Sequence, residues 1–551
     1  MSKGKGIKKE GILTSLARSI KSGFREVWSS NMGKAGIIII IFIVIMSVYA
    51  LAVSPPNIYK IWDDPYAWSD YPQKAPPEWV RYFGYPIAPH RVYIDPGREF
   101  SGILGIGELS RVLPQAENAM GGIYLTIVQG YVEVYQVEYT LEDEAFPQDI
   151  LAVFKPINNS VILDRGVERT VSAIPYILVE RPDGISMVVA TSDKIVAISD
   201  LSRLRLNYIT FWQDYLAYYA DEVPLLANLT DTQAKGLAVK MVFGEPYTAQ
   251  IIDEETGEVK EHVDFKPVTG TYKIYLIIAY TGATPQAIQK AIAAEQVGFE
   301  EIKIIVKGNA YGMSGTDNQG RDLWLGILYG FPVALAVGLF AAVTGVILGL
   351  VIGVISGYYG GIIDEFIQRL IDVLGNIPLL PILILIGVIL QEVKVFHIGP
   401  IEWDIGPWDK LFIIIGFLVI LGWGNLAIIV RSMTLSIKAE PYVEAAKAIG
   451  ASNTRIIFRH IIPQIIPYAM ASLVFSVPSA IITEAGLSVL GIKHGLPTWG
   501  RILADAQANR EIAYKMWWWI LPPGLMLAIT SLAFVLLGLA IETIVEPRLR
   551  R

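Results

Sequence analysis

Six stretches of the chain are apolar on every helical face for about the 20 residues that a hydrocarbon core of ~30 Å demands. They lie at approximately 36–53, 326–356, 370–391, 411–431, 465–490 and 518–541, and each predicts a membrane-crossing helix. Residues 54–306 follow a different rhythm. A Pro- and aromatic-rich opening, SPPNIYKIWDDPYAWSDYPQKAPPEWV, predicts irregular extended chain. The runs GIYLTIVQGYVEVYQVEYT, DGISMVVATSDKIVAIS and TGTYKIYLIIAY alternate or run apolar between Gly, Pro and Asp, which predicts strands. A section around 201–242 has helical spacing. The sum is an α+β domain dominated by sheet, set between the first and second spans.

Composition agrees with a membrane protein. Of 551 residues, 53% are hydrophobic, and the mean hydropathy is +0.45, too apolar for an ordinary soluble chain. The net charge of −7 is unevenly spread. Lys3, Lys5, Lys8, Lys9, Arg18, Lys21, Arg25 and Lys34 precede the first apolar run, whereas most carboxylates fall between 54 and 306. A basic leader keeps the N-terminal side of the first span cytoplasmic. Ala50-Leu51-Ala52 resembles a signal-peptidase site, but the leader is far too long for a usual signal peptide, so the run is read as a retained span. There is no cysteine, which removes disulfides, thiolate nucleophiles and Cys-ligated metals. Five scattered histidines give no metal-binding spacing, and no metal is expected.

Alternating from the first span places 54–325 outside. The GYYGGIIDEFIQR turn, the Glu444–Pro463 segment and the C-terminal EPRLRR fall inside, and the 392–410 and 491–517 loops outside. Arg431, Lys438, Lys447, Arg455, Arg459, Arg548, Arg550 and Arg551 then all sit on the cytoplasmic side. Trp517, Trp518 and Trp519 fall at the outer end of the last span, at headgroup level. Two sequons, Asn158 and Asn228, lie in the outside segment. That segment shows no repeat and no catalytic constellation, and its acidic surface is read as solubility.

One cytoplasmic stretch breaks the apolar pattern: EAAKAIGASNTRIIFRHIIP, Glu444 to Pro463. Glu440-Pro441 opens a helix, Gly450 breaks it, and Ser452 or Asn453 caps a second helix, Thr454 to Ile462, which Pro463 ends. Ala445 and Ala446 leave the backbone open to close approach, and Arg455 and Arg459 share one face. From chemistry alone this reads as an interfacial amphipathic helix.

The spacing carries more. EAA, three residues, Gly450, nine residues, His460, one residue, Ile462-Pro463 resembles the EAA loop of ABC-importer permeases, in the form of the dipeptide and oligopeptide branch. SGTDNQGRDLWLGILYG resembles the motif before the second span of the C-type subunit, and YYGGIIDEFIQRLIDVL, TEAGLSVLGI, PTWGRILADA and EPRLR follow in family order. The resemblance covers 308–551 closely and 1–53 loosely. It implies an all-α polytopic membrane protein with six transmembrane helices of the type I permease fold, carrying an inserted extracytoplasmic α+β, β-rich domain. The implied organisation is a basic segment at 1–35, a first helix at 36–53, the inserted domain at 54–307, and a permease core at 308–551 with the coupling loop at 440–463.

The resemblance further implies a permease subunit, not an enzyme, working with a second related permease, two cytoplasmic ATPases, an extracytoplasmic substrate-binding protein and membrane lipid. Nucleic acid is not an expected partner. Glu444, Ala445, Ala446, Gly450, Arg455, Arg459, His460 and Pro463 would dock on the ATPase. ATP and Mg would bind those partners, because this chain has no GxxxxGK[ST] phosphate loop. Family members usually join spans one and two by a short connection, and here a whole domain intervenes. The transported solute would be a di- or oligopeptide, with oligosaccharide or another small solute as the alternative. A receptor using the outer domain is a remoter reading.

Some polar and glycine positions carry separate expectations. Glu484 and Asp372 fall inside spans, where ionisable groups face protein or water, and are candidates for the pathway or gate. Gly315, Thr316, Asp317, Gly320, Arg321 and Asp322 form the motif before span two, with local polar contacts as its expected role. Gly345, Gly349, Gly353 and Gly357 bare one face of span two, for packing either within the chain or on a second permease. Pro378, Pro381 and Pro478 are expected to bend their helices.

Overall fold

A computed structural model describes residues 27–157, 159–192, 194–252, 259–392, 395–398, 401–492 and 494–545. Lys3, Lys5, Lys8, Lys9, Arg18, Lys21, Arg25, Asn158, Arg548, Arg550 and Arg551 lie outside the described residues. The chain divides into two compact units, Met1–Asp64 with Leu323–Arg551, and Pro65–Asp322.

The first unit is helical among its described residues, apart from one hairpin, Val395–Ile398 with Ile401–Asp404. Apart from a single turn at Arg510–Ala513, its helices are α1 (Asn31–Val53), α2 (Ile58–Asp63), α3 (Leu323–Tyr359), α4 (Gly361–Asn376), α5 (Leu379–Glu392), α6 (Pro407–Gly422), α7 (Gly424–Lys438), α8 (Pro441–Ala448), α9 (Asn453–Val489), α10 (Trp499–Ala508) and α11 (Trp517–Val545). Among the described residues, five helices are long and apolar enough to cross a membrane: α1, α3, the α6–α7 pair, α9 and α11.

The expected single span at 370–391 is not straight. It belongs to α4 and α5, which meet at a bend of 74°, and a sixth crossing exists only if the two count together. Pro378 is the cause. It has no N–H to donate and pushes Ile377 out of the helical region, to φ −74° and ψ 123°. Pro381 falls in the first turn of α5, where proline is tolerated, and Pro478 is carried inside the unbroken α9.

The second unit is mostly sheet. One antiparallel sheet runs in the order Gly97–Leu104, Gly130–Leu141, Gly270–Thr281, Ser172–Glu180, Ser186–Thr191, with Val196–Ala197 paired to the fourth strand. A second has the order Arg91–Ile94, Phe299–Lys307, Asp149–Pro156, Arg203–Arg205. The central strand Gly270–Thr281 explains why TYKIYLIIAY reads as an apolar run rather than strict alternation. Ile274, Leu276 and Ile278 enter one core with Ile150, Ile304, Tyr215 and Met241, while Tyr275 and Ile277 enter another with Leu109, Leu113 and Leu125. Both faces are covered, so neither needs polar residues.

Two local expectations change. Ile123–Thr126, read as strand, is a helical turn, and the opening segment read as extended contains α2 and a 3-10 turn at Glu78–Phe83. The domain boundaries also move from 54 and 307 to Asp64/Pro65 and Asp322/Leu323. Ile58 is buried with Tyr329, Val333 and Leu411, and the Trp62 ring lies against Gly326, so α2 packs with the spans. At the other end, Thr316 N donates to Ala75 O (2.8 Å) and Lys74 N to Asp317 O (2.7 Å), which ties the GTDNQGRD motif into the sheet-rich unit.

Candidate functional site

The EAA segment forms a knob on a buried base. Proline at the first helical position starts α8, since its missing N–H would have no intrahelical partner there. Val443 and Ala446 are buried, and Val443 packs with Ile456, Ile461, Val354, Tyr358 and Val430. Glu444, Ala445 and Lys447 face out. Of the two alanines expected to permit close docking, therefore, only Ala445 is available. Gly450 turns the chain with φ +84° and has open space around it, so its dihedral rather than crowding demands glycine. Ser452 accepts from Arg455 N (3.4 Å) and starts the next helix.

That helix corrects the expected stop at Pro463. Asn453–Val489 is helical throughout, with a π turn at Ile457–Ile461 immediately before the proline. A proline ring clashes with the carbonyl four residues earlier, and the wider turn relieves this without ending the helix. The second half of the EAA segment is thus the continuation of a span. Arg455 and Arg459 are exposed, and the His460 ring lies 6.2 Å from that of Tyr442. The base is tied to α3, with Tyr358 OH donating to Asn453 Oδ1 (2.8 Å) and Lys438 Nζ to Tyr358 O (2.6 Å). Two apolar side chains that sequence reasoning did not single out crown the knob: Ile449 is 86% exposed and Phe458 67%. Their signal was available, as apolar residues beside a positive-φ glycine and between two arginines.

Within the spans, three of the four spaced glycines receive α7. A Cβ at Gly349 would meet Leu426 at 2.9 Å, at Gly353 the Ala427 carbonyl at 2.6 Å, and at Gly357 the Arg431 carbonyl at 2.7 Å. These three serve packing within the chain, while Gly345 meets nothing.

Asp364 holds a forked pair with Arg431, whose Nε and Nη2 each lie 2.5 Å from a carboxylate oxygen, and Ser356 Oγ donates to the same carboxylate. The pair joins α4 to α7 across 67 positions, a separation that no local spacing reveals. Asp372, chosen from the sequence, is exposed two turns further along α4. Glu484 is buried, and its Oε1 lies 3.1 Å from Ser488 Oγ, 3.0 Å from His494 Nε2 and 3.0 Å from Thr498 Oγ1. Thr498 also caps α10, and Arg501 in that helix pairs with Asp63 of α2. Glu484 therefore organises the α9–α10 connection rather than pointing into open space.

In the other unit, Asp317 and Arg321 are buried. Asp317 Oδ1 accepts from Gln319 N (2.8 Å) and Arg321 N (3.0 Å), and Oδ2 from Arg321 Nε (2.5 Å). Gly315 and Gly320 take positive φ, and Thr316 Oγ1 bridges Ala75 N and Pro72 O. Asp322 closes the turn by pairing with Thr316. The Asp317 carboxylate and the Thr316 hydroxyl are thus used in holding the turn and its neighbouring chain.

Apolar crossing helices, a glycine-packed helix pair and a polar knob with an exposed apolar crown define a multi-pass membrane transport component. The chain belongs to the family of binding-protein-dependent transport system inner membrane components, whose model matches residues 349–551, and with the family goes the type I permease fold. It is 33% identical over 239 residues to the oligopeptide transport system permease protein OppC of Bacillus subtilis, covering 43% of this chain and 72% of that protein. A putative peptide transport system permease protein of Brucella suis is 37% identical over 238 residues, covering 43% and 73%. The dipeptide transport system permease protein DppC of Bacillus subtilis is 34% identical over 239 residues, covering 43% and 69%.

Proposed function

We propose that this chain is one permease subunit of an ATP-driven, binding-protein-dependent importer of di- or oligopeptides. It forms half of the pathway with a second, related permease. Two cytoplasmic ATPases hydrolyse ATP with Mg and drive it, and an extracytoplasmic binding protein delivers the solute. In this reading the bent α4–α5 pair completes six crossings, both termini are cytoplasmic, and the sheet-rich unit is extracytoplasmic.

The observation that carries the reading is the knob from Pro441 to Ile461. Its base is locked to α3 and α7, while Glu444, Ala445, Ile449, Arg455, Phe458 and Arg459 are left exposed. Exposed apolar side chains ringed by charge suit a protein partner better than a lipid surface. Force arriving there passes to α3 and α9 because the knob is continuous with α9.

Two substitutions test the coupling role. Gly450→Val places a β-branched residue at φ +84°, a strain of about 1–2 kcal/mol confined to the turn. Glu444→Lys reverses an exposed charge. Both are expected to lower solute uptake at least tenfold while membrane insertion and abundance stay normal. Wild-type uptake in both variants would defeat the assignment.

A further inference from the structure

A cavity of about 180 Å³ lies within the membrane unit, between α3, the α6–α7 pair and α9. Its wall includes Gly345, Gly422, Trp423, Ser476 and Ser479. Three observations distinguish it from a packing flaw. The glycine face of α3 is closed by α7 at Gly349, Gly353 and Gly357, yet a Cβ on Gly345 would meet no atom within 4 Å. The wall is partly polar: Ser476 Oγ donates to Ser472 O at 2.7 Å, and Ser479 is exposed at the rim. Finally, Asn425 is exposed deep within the Pro407–Lys438 span, three residues beyond Gly422 and so on the same side. A carboxamide turned toward hydrocarbon is costly, so this side faces water or protein.

We propose that this cavity, lined by Gly345, Ser476 and Ser479, together with the exposed Asn425 one helical turn from its Gly422 wall, is part of the solute-contacting wall of the pathway in this subunit. The space beside Gly345 receives one side chain of the transported peptide. The proposal rests on the importer reading above. Asn425 and Ser479 can each donate to and accept from a peptide amide without favouring any side-chain charge, which suits a carrier of varied peptides. The volume is comparable with the ~150 Å³ apolar cavity that holds a benzene ring, so even an aromatic side chain fits. Trp423, Val346, Leu418 and Leu426 make the rest of the wall largely apolar.

The absence of cysteine makes the test direct. Ser479→Cys and, as a lipid-facing reference, Ile347→Cys (Ile347 is 54% exposed on α3) are compared in the whole transporter in native membranes. Both are treated with a membrane-impermeant methanethiosulfonate, and the mass shift of this chain is followed. The Ser479→Cys variant is expected to react at least tenfold faster and to slow when an imported peptide is present. Equal rates would mean a lipid-facing crevice or a dry joint between permeases and would overturn the proposal, even with peptide uptake by the parent intact. Loss of peptide uptake in the parent would instead defeat the importer reading. Gly345→Leu should reduce uptake of Phe-containing peptides about tenfold relative to Ala-containing ones, with Gly345→Ala near normal. Equal loss for both peptides would remove the side-chain role, and the labelling result stands whether or not Gly345→Leu assembles.

Discussion

The two units are both rich in apolar residues and place them in opposite ways. In the sheet-rich unit the strand Gly270–Thr281 buries its apolar side chains on both faces, and Tyr272, Ile274, Leu276 and Ile277 are inaccessible. In the membrane unit α1 exposes Ile38, Ile45 and Val48 by 57–64%. The polar groups invert as well. The sheet-rich unit turns most charges outward and buries Glu133 only with Tyr135 OH at 2.9 Å, Tyr280 OH at 2.7 Å and Arg98 Nη2 at 3.1 Å. The membrane unit holds Asp364 and Glu484 against partners on other segments of the chain. The difference teaches that burial follows the surrounding solvent: water drives apolar groups inward, whereas lipid leaves helix association to close backbone contact and polar pairing.

If close contact replaces hydrophobic burial in the membrane unit, filling a glycine contact should be the most damaging change. Gly353→Leu sets a side chain against the Ala427 carbonyl and the Val430 side chain, with an overpacking cost of about 3 kcal/mol or more. Membrane-inserted, detergent-stable protein should fall severalfold, whereas Gly345→Leu should leave it unchanged. Equal abundance of the two variants would break the comparison.

Polar pairing supplies the next effect. Asp364→Asn removes the charge between α4 and α7 and leaves the Arg431 guanidinium only partly satisfied, at a cost on the order of 3 kcal/mol. Thermal unfolding in detergent should move down by several degrees, and Asp372→Asn, at an exposed position, should not move it.

The smallest effect belongs to the sheet-rich unit and sharpens the contrast through pH. Burial, with Lys307 and Arg91 nearby, pushes His90 down to about 4. The unfolded chain binds that proton near pH 6.5. The stability held by neutral His90 is therefore complete above about pH 6.5 and lost as pH falls toward 4. His90→Gln should flatten this slope, leaving a difference on the order of 2 kcal/mol between pH 7 and 4.5. Parallel unfolding curves for variant and parent at both pH values would argue against a buried neutral imidazole.

Much of this was legible from local pattern. The uniformly apolar runs located α1, α3 and α11 to within about five residues, because a lipid-facing helix needs no polar face, but they missed the polar extensions of α6–α7 to Lys438 and of α9 back to Asn453. The EAA segment announced Pro441 as start, Gly450 as break and Ser452 or Asn453 as cap, since each acts on the few residues beside it. The turn chemistry of Asp317 and Arg321, four residues apart, was likewise local. The bend at Ile377-Pro378 was signalled by its proline, but the division of 370–391 into two helices was not. The π turn before Pro463 was missed because a proline after helical residues ordinarily reads as a stop.

By itself the chain of residues determined which segments meet lipid, where helices start and break, and which stretch has the family's loop. Those properties depend on near neighbours and on the solvent each segment must satisfy. Only the tertiary structure decided that Asp364 rather than Asp372 is paired, that Ala446 is buried while Ile449 is exposed, and that three glycines are covered while Gly345 is left open. Each of these is set by a side chain or carbonyl arriving from a distant part of the chain, and no spacing along the sequence encodes that arrival.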